Sequence, residues 1–444
     1  MITSDTPRRF RITLWRVLGL VFLLLILLFV VARIHVRRDI HRQLAEIRQS
    51  GGLMTLMDLQ ARYQDIDGRH NGAFDLIAVA SHLNGIEEKL RREGRTNDAF
   101  YELPFLPKGE PPPKGARLDP ALLDSIAEAL GRTGDAFDQL HVILARTNQA
   151  YVHTMNLSLG LSAPMTLTHL SPLKTTSQWL ALKAVYDSST QKPDEAVVAL
   201  LDGLRLARSL EREPILISQL VRLSMLRISI RSLEWVLDQA ELAPNQLNQL
   251  RSGLQSANPD GAMAIGLAGE RCFGLDVLWY HREQFDPADT PAFLAYRVLG
   301  LADLDLKHYL SVMNPAVALS TNDLATRLIQ STNLIARNDE GKTDEPRWAI
   351  LSSMLLPSFE TAFNREADTV AAVIAADTAL AVELFRIGND GRLPGGLSDL
   401  VPEYLAEAPL DPRTGQPLTL VPSSNGYTIL GKDALFTIDR PARE

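Results

Sequence analysis

Hydrophobic residues crowd the start of this chain and then thin into a repeating pattern of helical faces. Val17 to Ala32 is sixteen consecutive residues without a charge or strong polar group, and Leu20 to Val31 is almost solid Leu, Val, Ile and Phe. A hydrocarbon core about 30 Å thick needs roughly 20 apolar residues in a helix. Ile12, Leu14 and Trp15 extend the run, and Arg16 can snorkel to the headgroups. Trp15 stands where an interfacial aromatic belongs. Residues 12–32 are therefore predicted to form a transmembrane anchor behind a cytoplasmic tail at 1–11. Arg8, Arg9, Arg11 and Arg16 also suit a secretion signal, and Val30-Val31-Ala32 offers a cleavage pattern before Arg33. The run is long for a cleaved signal and lacks a polar breaker, which favours an uncleaved anchor. Arginines flank the span on both sides, so charge alone leaves orientation open. A long body translocates largely regardless of such charge, and the expected arrangement is single-pass in the inner (cytoplasmic) membrane with the bulk of the chain periplasmic.

Beyond the anchor, Val36, Ile40, Leu44 and Ile47 recur at helical spacing with arginines on the other faces. Residues 33–49 read as a basic helical stalk that lies on headgroups, pairs with a second helix, or stands solvated. An N-terminal helical segment at 50–103 holds two helices, Leu53 to Tyr63 and Ala73 to Arg92, separated by a polar loop at Asp65 to Gly72. Six prolines between Pro104 and Pro120 mark a linker at 104–119, because proline cannot join a helix interior. From Asp119-Pro120, an N-cap followed by proline at the first helical position, the pattern is almost wholly helical to residue 357. Helices are predicted at 120–131, 134–150, 172–188, 193–210, 213–239, 244–256, 260–284, 291–312 (with a break) and 320–337. A polar acidic loop follows at Asn338 to Glu345. Tandem helix pairs raise the possibility of a repeat of about 34 residues, but no second copy is found in phase. The body is an irregular bundle or an α-solenoid-like array.

The last segment, 358–444, begins with an Ala-rich helix over Thr361 to Gly388 that Asn389-Asp390-Gly391 stops. A short helix at Leu397 to Tyr404, a turn cluster at Asp411 to Pro417, hairpin strands at Leu418 to Val421 and Tyr427 to Leu430, and a third strand at Leu435 to Ile438 complete it. The fold class is mainly α, with an N-terminal transmembrane helix, a multi-helix body and a small C-terminal α+β module with a β-hairpin.

Composition narrows the function. The chain has 444 residues and a net charge of −8, but its first fifty residues hold nine arginines and three acidic residues, leaving a body of net −14. An acidic body argues against nucleic-acid partners, which need a basic footprint. Cys272 is the only cysteine, which excludes an intramolecular disulfide and a cysteine-based metal site. Among Phe273, Leu275 and Val277 it reads as a core residue.

The tail carries a resemblance. Ala381, Glu383, Phe385 and Arg386 end its helix. Gly391-Arg392-Leu393-Pro394 follow, then Leu397, Leu400, Val401, Pro402, Tyr404 and Leu405. Pro409, Asp411, Pro412, Gly415, Pro417 and Leu418 precede Gly426, Tyr427 and Ile429. This order resembles the C-terminal half of the type II secretion major pseudopilin. It resembles still more the tails of uncharacterised membrane-anchored bacterial proteins with that pattern. The resemblance covers about 60 residues and implies a long helix against a small sheet. The anchor departs from it: Gly19 is followed by Leu20, position 24 is Leu rather than Glu, and over 300 residues separate anchor from module. The chain is thus not itself a fibre subunit. Calcium binding is not carried over, although Asp390, Asp399, Asp411 and Asp433 could supply oxygens; turn and capping roles account for most of them.

No catalytic, cofactor-binding or metal-binding residue is assigned. The histidines are His35, His41, His70, His82, His141, His153, His169, His281 and His308, without an H-E-x-x-H pair or Cys/His cluster. The chain has no P-loop, and Ser158 to Ser162 lacks the spacing of a nucleophile elbow. Asp303, Asp305 and His308 could hold a metal on one helix or form a solvated face. Glu270 beside Arg271 suggests a buried ion pair, and Glu360 and Glu366 suit a helix start. Three functions stay open: an extracytoplasmic binding or scaffolding protein with a protein partner in a bacterial envelope, an accessory component of a secretion or pilus-like assembly, and an envelope enzyme of unknown class.

Overall fold

The computed structural model describes residues 8–63, 71–94, 117–146, 151, 167–280, 291–334, 346 and 348–440. Residues 1–7 of the expected tail, most of the 65–72 loop, 104–116 of the linker, Ser158 to Ser162, His70, His153, His281 and the loop at 338–345 lie outside them.

The described chain is mainly helical, with one small antiparallel sheet near its end. Helix α1 (Arg8–Gln49) carries the apolar run and the basic stalk in one piece. Then come α2 (Leu56–Tyr63), α3 (Ala73–Arg92), α4 (Pro120–Gly131), α5 (Ala136–Ala145), α6 (Leu170–Ser189), α7 (Pro193–Arg208), α8 (Leu216–Gln239) and α9 (Pro244–Ala257). Local chemistry sets several starts. The Asp119 carboxylate accepts the amide of Ala121 at 2.7 Å, ahead of Pro120. Gln246 reaches back to accept the amide of Ala243 at 2.7 Å.

The next elements are α10 (Ala262–Leu275), continued by a π-helical turn at Asp276–Tyr280, then α11 (Pro291–Val298), α12 (Leu301–Leu319), α13 (Leu324–Ser331), α14 (Ile350–Leu355) and α15 (Phe359–Gly388). The break expected within 291–312 falls at Gly300, whose φ of +76° suits glycine. Helix α12 runs through Pro315 rather than ending at 312. A proline withholds only its own amide, and buried Met313, Ala316 and Leu319 hold the following turn. The six-residue α14 had no sequence signal, and a 3₁₀ turn at Leu397–Leu400 replaces the longer helix expected to Tyr404.

Two packed regions share α8 and α15. One buried cluster extends from Leu76 on α3 through α5 to α9 and the middle of α15 to Ile438 near the C-terminus. The other joins the stalk to α10, α12 and the start of α15. Helix α10 approaches the turn before α8 so closely that a Cβ at Gly269 would lie 1.6 Å from the carbonyl oxygen of Pro214. Strands β1 (Thr419–Pro422), β2 (Gly426–Leu430) and β3 (Ala434–Asp439) form a meander. Tyr427 pairs with Ile438 and Ile429 with Phe436, and all four are fully buried. Alternation puts them on one face, and that face packs on α15 and α8. The Tyr427 hydroxyl donates to the Ala379 carbonyl at 3.0 Å, while the amides of Thr437 and Asp439 donate to Glu234 and Asp238. The tail and the helical body therefore share one core.

Candidate membrane-proximal interface

Helix α1 changes character along its length. Its apolar residues from Val17 to Val31 are between 42% and 69% exposed, and Trp15 is 73% exposed. No other described helix is long and apolar enough to cross a membrane. Past Ala32 the same helix turns one face inward, and Ile40, Leu44 and Ile47 are buried. The pairing reading of the stalk is the one realised, and the partner is α12.

A polar ladder fixes the register between α1 and α12. Arg33 and Arg37 each donate from Nε to the same Oδ2 of Asp303, both at 3.1 Å. Lys307 donates to Asp39 at 2.6 Å, and Asn314 to Gln43 at 3.4 Å. The rungs ascend together, so α12 runs parallel to α1 and away from the anchor. Lys307, hydrogen-bonded to Asp39, holds that carboxyl below its ordinary value against a smaller opposing effect of burial. Asp303 is 1% exposed, whereas Arg33 and Arg37 are 31% and 48% exposed at their side chains. The ladder is therefore partly screened and works as a positioning device more than a source of stability.

Helix α11 completes the interface. Arg33 donates to the carbonyls of Val298 and Arg297 at 3.2 and 3.5 Å. A Cβ at Gly300 would lie 3.9 Å from the Phe29 ring. Helix α11 thus sits level with the last turn of the apolar run. Leu294, Val298 and Leu299 there are 58–64% exposed. They form an apolar patch continuous with the anchor.

The residues singled out as candidate chemistry take other places. Asp303 faces the stalk arginines. Asp305 is fully buried and accepts the Tyr296 hydroxyl, the Ser352 hydroxyl and the amides of Leu351 and Ser352. It fixes the start of α14 against α11. His308 stands edge-on to Trp348 with ring centroids 6.0 Å apart. The three do not converge, and no His/Cys/Asp/Glu group suited to a metal occurs among the described residues. Glu270 and Arg271 do not pair either. Glu270 accepts the amide of Leu216 at 3.1 Å, and burial raises its pKa above that bond's opposing effect. Cys272 is fully buried, and desolvation pushes its thiol up to about 12, so it stays a neutral core thiol.

Glu366 is fully buried and pairs with Arg327 at 2.5 Å, where it also accepts the amide of Met263 at 3.1 Å. In the tail, Asp368, Asp411 and Asp433 converge on one guanidinium. Arg413 bonds both oxygens of buried Asp411 and reaches Asp433 at 2.7 Å and Asp368 at 3.2 Å. Burial alone would raise Asp411, but Arg413 and the amides of Lys432 and Arg413 outweigh it and leave the carboxyl lowered. Asp399 accepts the amide of Gly395 at 2.8 Å.

Two histidine–carboxylate pairs carried no sequence signal. His169 meets Glu213 at 2.7 Å, both almost fully buried, and His141 meets Asp202 at 2.9 Å. The first pair is 44 residues apart and the second 61, beyond the reach of any local motif.

Two grooves mark the outer faces of the body. One of about 860 Å³ between α7 and α9 mixes polar His141, Arg205, Asn245, Asn248 and Gln249 with apolar Val198, Leu201 and Leu204. The other, of about 410 Å³, is lined by Lys174, Arg227, Arg231 and Arg365 with the carboxylate of Asp368 among the described residues. A basic strip on so acidic a body is a local feature that net charge conceals. Comparison with known protein families, curated proteins and solved structures finds no match for this chain.

Proposed function

We propose that this chain is a single-pass, membrane-anchored protein of a bacterial envelope. Its helical body is a non-enzymatic binding or scaffolding surface outside the cytoplasm. The observation that carries this reading is α1, which exposes its apolar half and buries one face of its stalk half in the body without a break. A helix continuous across that boundary transmits orientation, where a flexible linker would only tether. The apolar patch on α11 then rests at the bilayer face, and the grooves on α7–α9 and α6–α8–α15 are presented away from the anchor to an envelope protein. Alkaline extraction of native membranes should leave the chain in the pellet. A reporter fused after Glu444 should be active only in the extracytoplasmic compartment. Release by alkali, or a cytoplasmically active reporter, would sink the reading.

The basic groove supplies the partner test. Arg227→Glu with Arg231→Glu should abolish the in-cell crosslinks of the wild-type chain while leaving its melting temperature unchanged. Crosslinks unaffected by the double variant would exclude that groove. A second reading, an accessory component of a type II secretion or pilus-like assembly, draws on α15 lying against a small sheet, the arrangement its tail resemblance implies. Co-purification with a secretion platform supports that reading, and normal secretion after deletion of the chain counts against it.

A further inference from the structure

A cavity of about 390 Å³ lies where α2, α10 and the end of α12 meet the turn before α8. Leu53, Leu59, Pro214, Ile265 and Val317 supply apolar walls. Its charged lining residues among those described are Arg62, Arg212 and Arg271, with no carboxylate among them. Arg62 and Arg212 are exposed at the mouth, whereas Arg271 is only 6% exposed. Arg271 Nη2 donates to the carbonyl of Leu53 at 3.2 Å, while Nε has no hydrogen-bond partner. None of the three arginines forms an ion pair with a described residue.

This arrangement is costly. A guanidinium stays charged in a protein interior, and a buried charge without a counter-ion is strongly unfavourable. The chain nevertheless makes room for it. A Cβ at Gly52 would lie 2.7 Å from Arg271 Nη2. The bilayer does not reach these arginines. The stalk from Arg33 to Gln49 places this cavity about 25 Å beyond the span at 1.5 Å per residue, out of reach of headgroups.

We propose that this cavity binds a small organic anion, with its charged head on Arg271 and its apolar body against Leu53, Leu59, Ile265 and Val317. The volume suits a medium-chain acid, and a bidentate guanidinium contact suits a carboxylate or phosphate head alike. This goes beyond the tethered-scaffold reading and stands without it, because binding is measurable however the chain is oriented.

The test uses the full chain in lipid nanodiscs with octanoate, octyl phosphate and neutral octanamide. Octanoate or octyl phosphate should raise the melting temperature, and whichever binds more tightly identifies the head. Octanamide should bind at least about tenfold more weakly, the usual scale of a charge-assisted pair. Arg271→Met should weaken anion binding about tenfold or more without lowering the melting temperature of the unliganded protein. An arginine with a purely structural role would lower it. Should that variant fail to fold, Arg62→Gln with Arg212→Gln alters only the exposed mouth and should weaken binding severalfold. Equal binding of octanamide, or unchanged anion binding in the Arg271 or mouth variants, would overturn the proposal. Tighter binding of a short peptide ending in leucine than of any octyl anion would also overturn it in favour of a peptide site.

Discussion

Replacing Phe436 with alanine tests whether the C-terminal sheet belongs to the body or hangs from it. Phe436 is fully buried, pairs with Ile429 across the sheet and faces the helices, within the same buried cluster as Trp235 and Leu380. Truncation of a fully buried phenylalanine costs about 3–5 kcal/mol, a large part of the roughly 5–15 kcal/mol that holds an ordinary domain. The amides of Thr437 and Asp439, bonded to Glu234 and Asp238 on α8, tie the same strand to the body. The cost should therefore appear throughout the helical region. No tryptophan lies beyond Trp348, so tryptophan fluorescence reports the body while proteolytic cleavage after residue 389 reports the tail. Urea unfolding of Phe436→Ala should show both probes moving to lower denaturant together. A tryptophan transition that stays in place while the tail becomes labile would refute the shared core. For the same reason, deleting residues 389–444 should unmake the body, so partner mapping needs point variants rather than truncation.

Other outcomes follow from the buried charges. Glu270 binds its proton more tightly when folded than its ordinary 4.5. Its ionisation thus lowers stability as pH rises from about that value through the folded one. Glu270→Gln keeps an acceptor for Leu216, and should raise the melting temperature at pH 7 with little effect near pH 4. Arg327→Met leaves Glu366 buried without its partner and should cost about 3–5 kcal/mol at neutral pH. That cost should shrink in acid, where Glu366 takes a proton, and Glu366→Gln on the same background should recover most of it in urea titrations. Asp411 has the opposite sign: its lowered carboxyl contributes stability above its ordinary 3.8 that is lost as pH falls through the folded value. Asp411→Asn should accordingly flatten the acid limb of the pH–stability profile. Cys272 should resist alkylation in the native chain and react fully in urea.

The long apolar N-terminal helix and most of the other helices were legible in the sequence because their signals are local. An apolar run, an Asp-Pro start or a stop at Asn389-Asp390-Gly391 needs only a few neighbours. The site was not legible, because its residues are brought together from afar. Arg62, Arg212 and Arg271 come from three distant segments. Adjacency also misled: Glu270 and Arg271 looked like a pair, yet consecutive helical residues project about 100° apart. One side chain turned to the amide of Leu216 and the other to the cavity. The same geometry sets Asp303 and Asp305 about 200° apart, while His308 is held by Trp348. The shared core likewise depended on which face of a short hairpin met α8, which local alternation does not specify.

The central claim is that α1 crosses the bilayer and holds the body in one pose, with α11 at the membrane face. Spin labels at Val298→Cys and Met57→Cys, on a Cys272→Ser background in nanodiscs, test it most directly. Both parent residues are well exposed, at 60% and 78%, but only Val298 lies level with the anchor's last turn. The label at 298 should be relaxed by oxygen far more than by a water-soluble nickel chelate, and the label at 57 should show the reverse. Equal nickel access at the two positions would contradict the account.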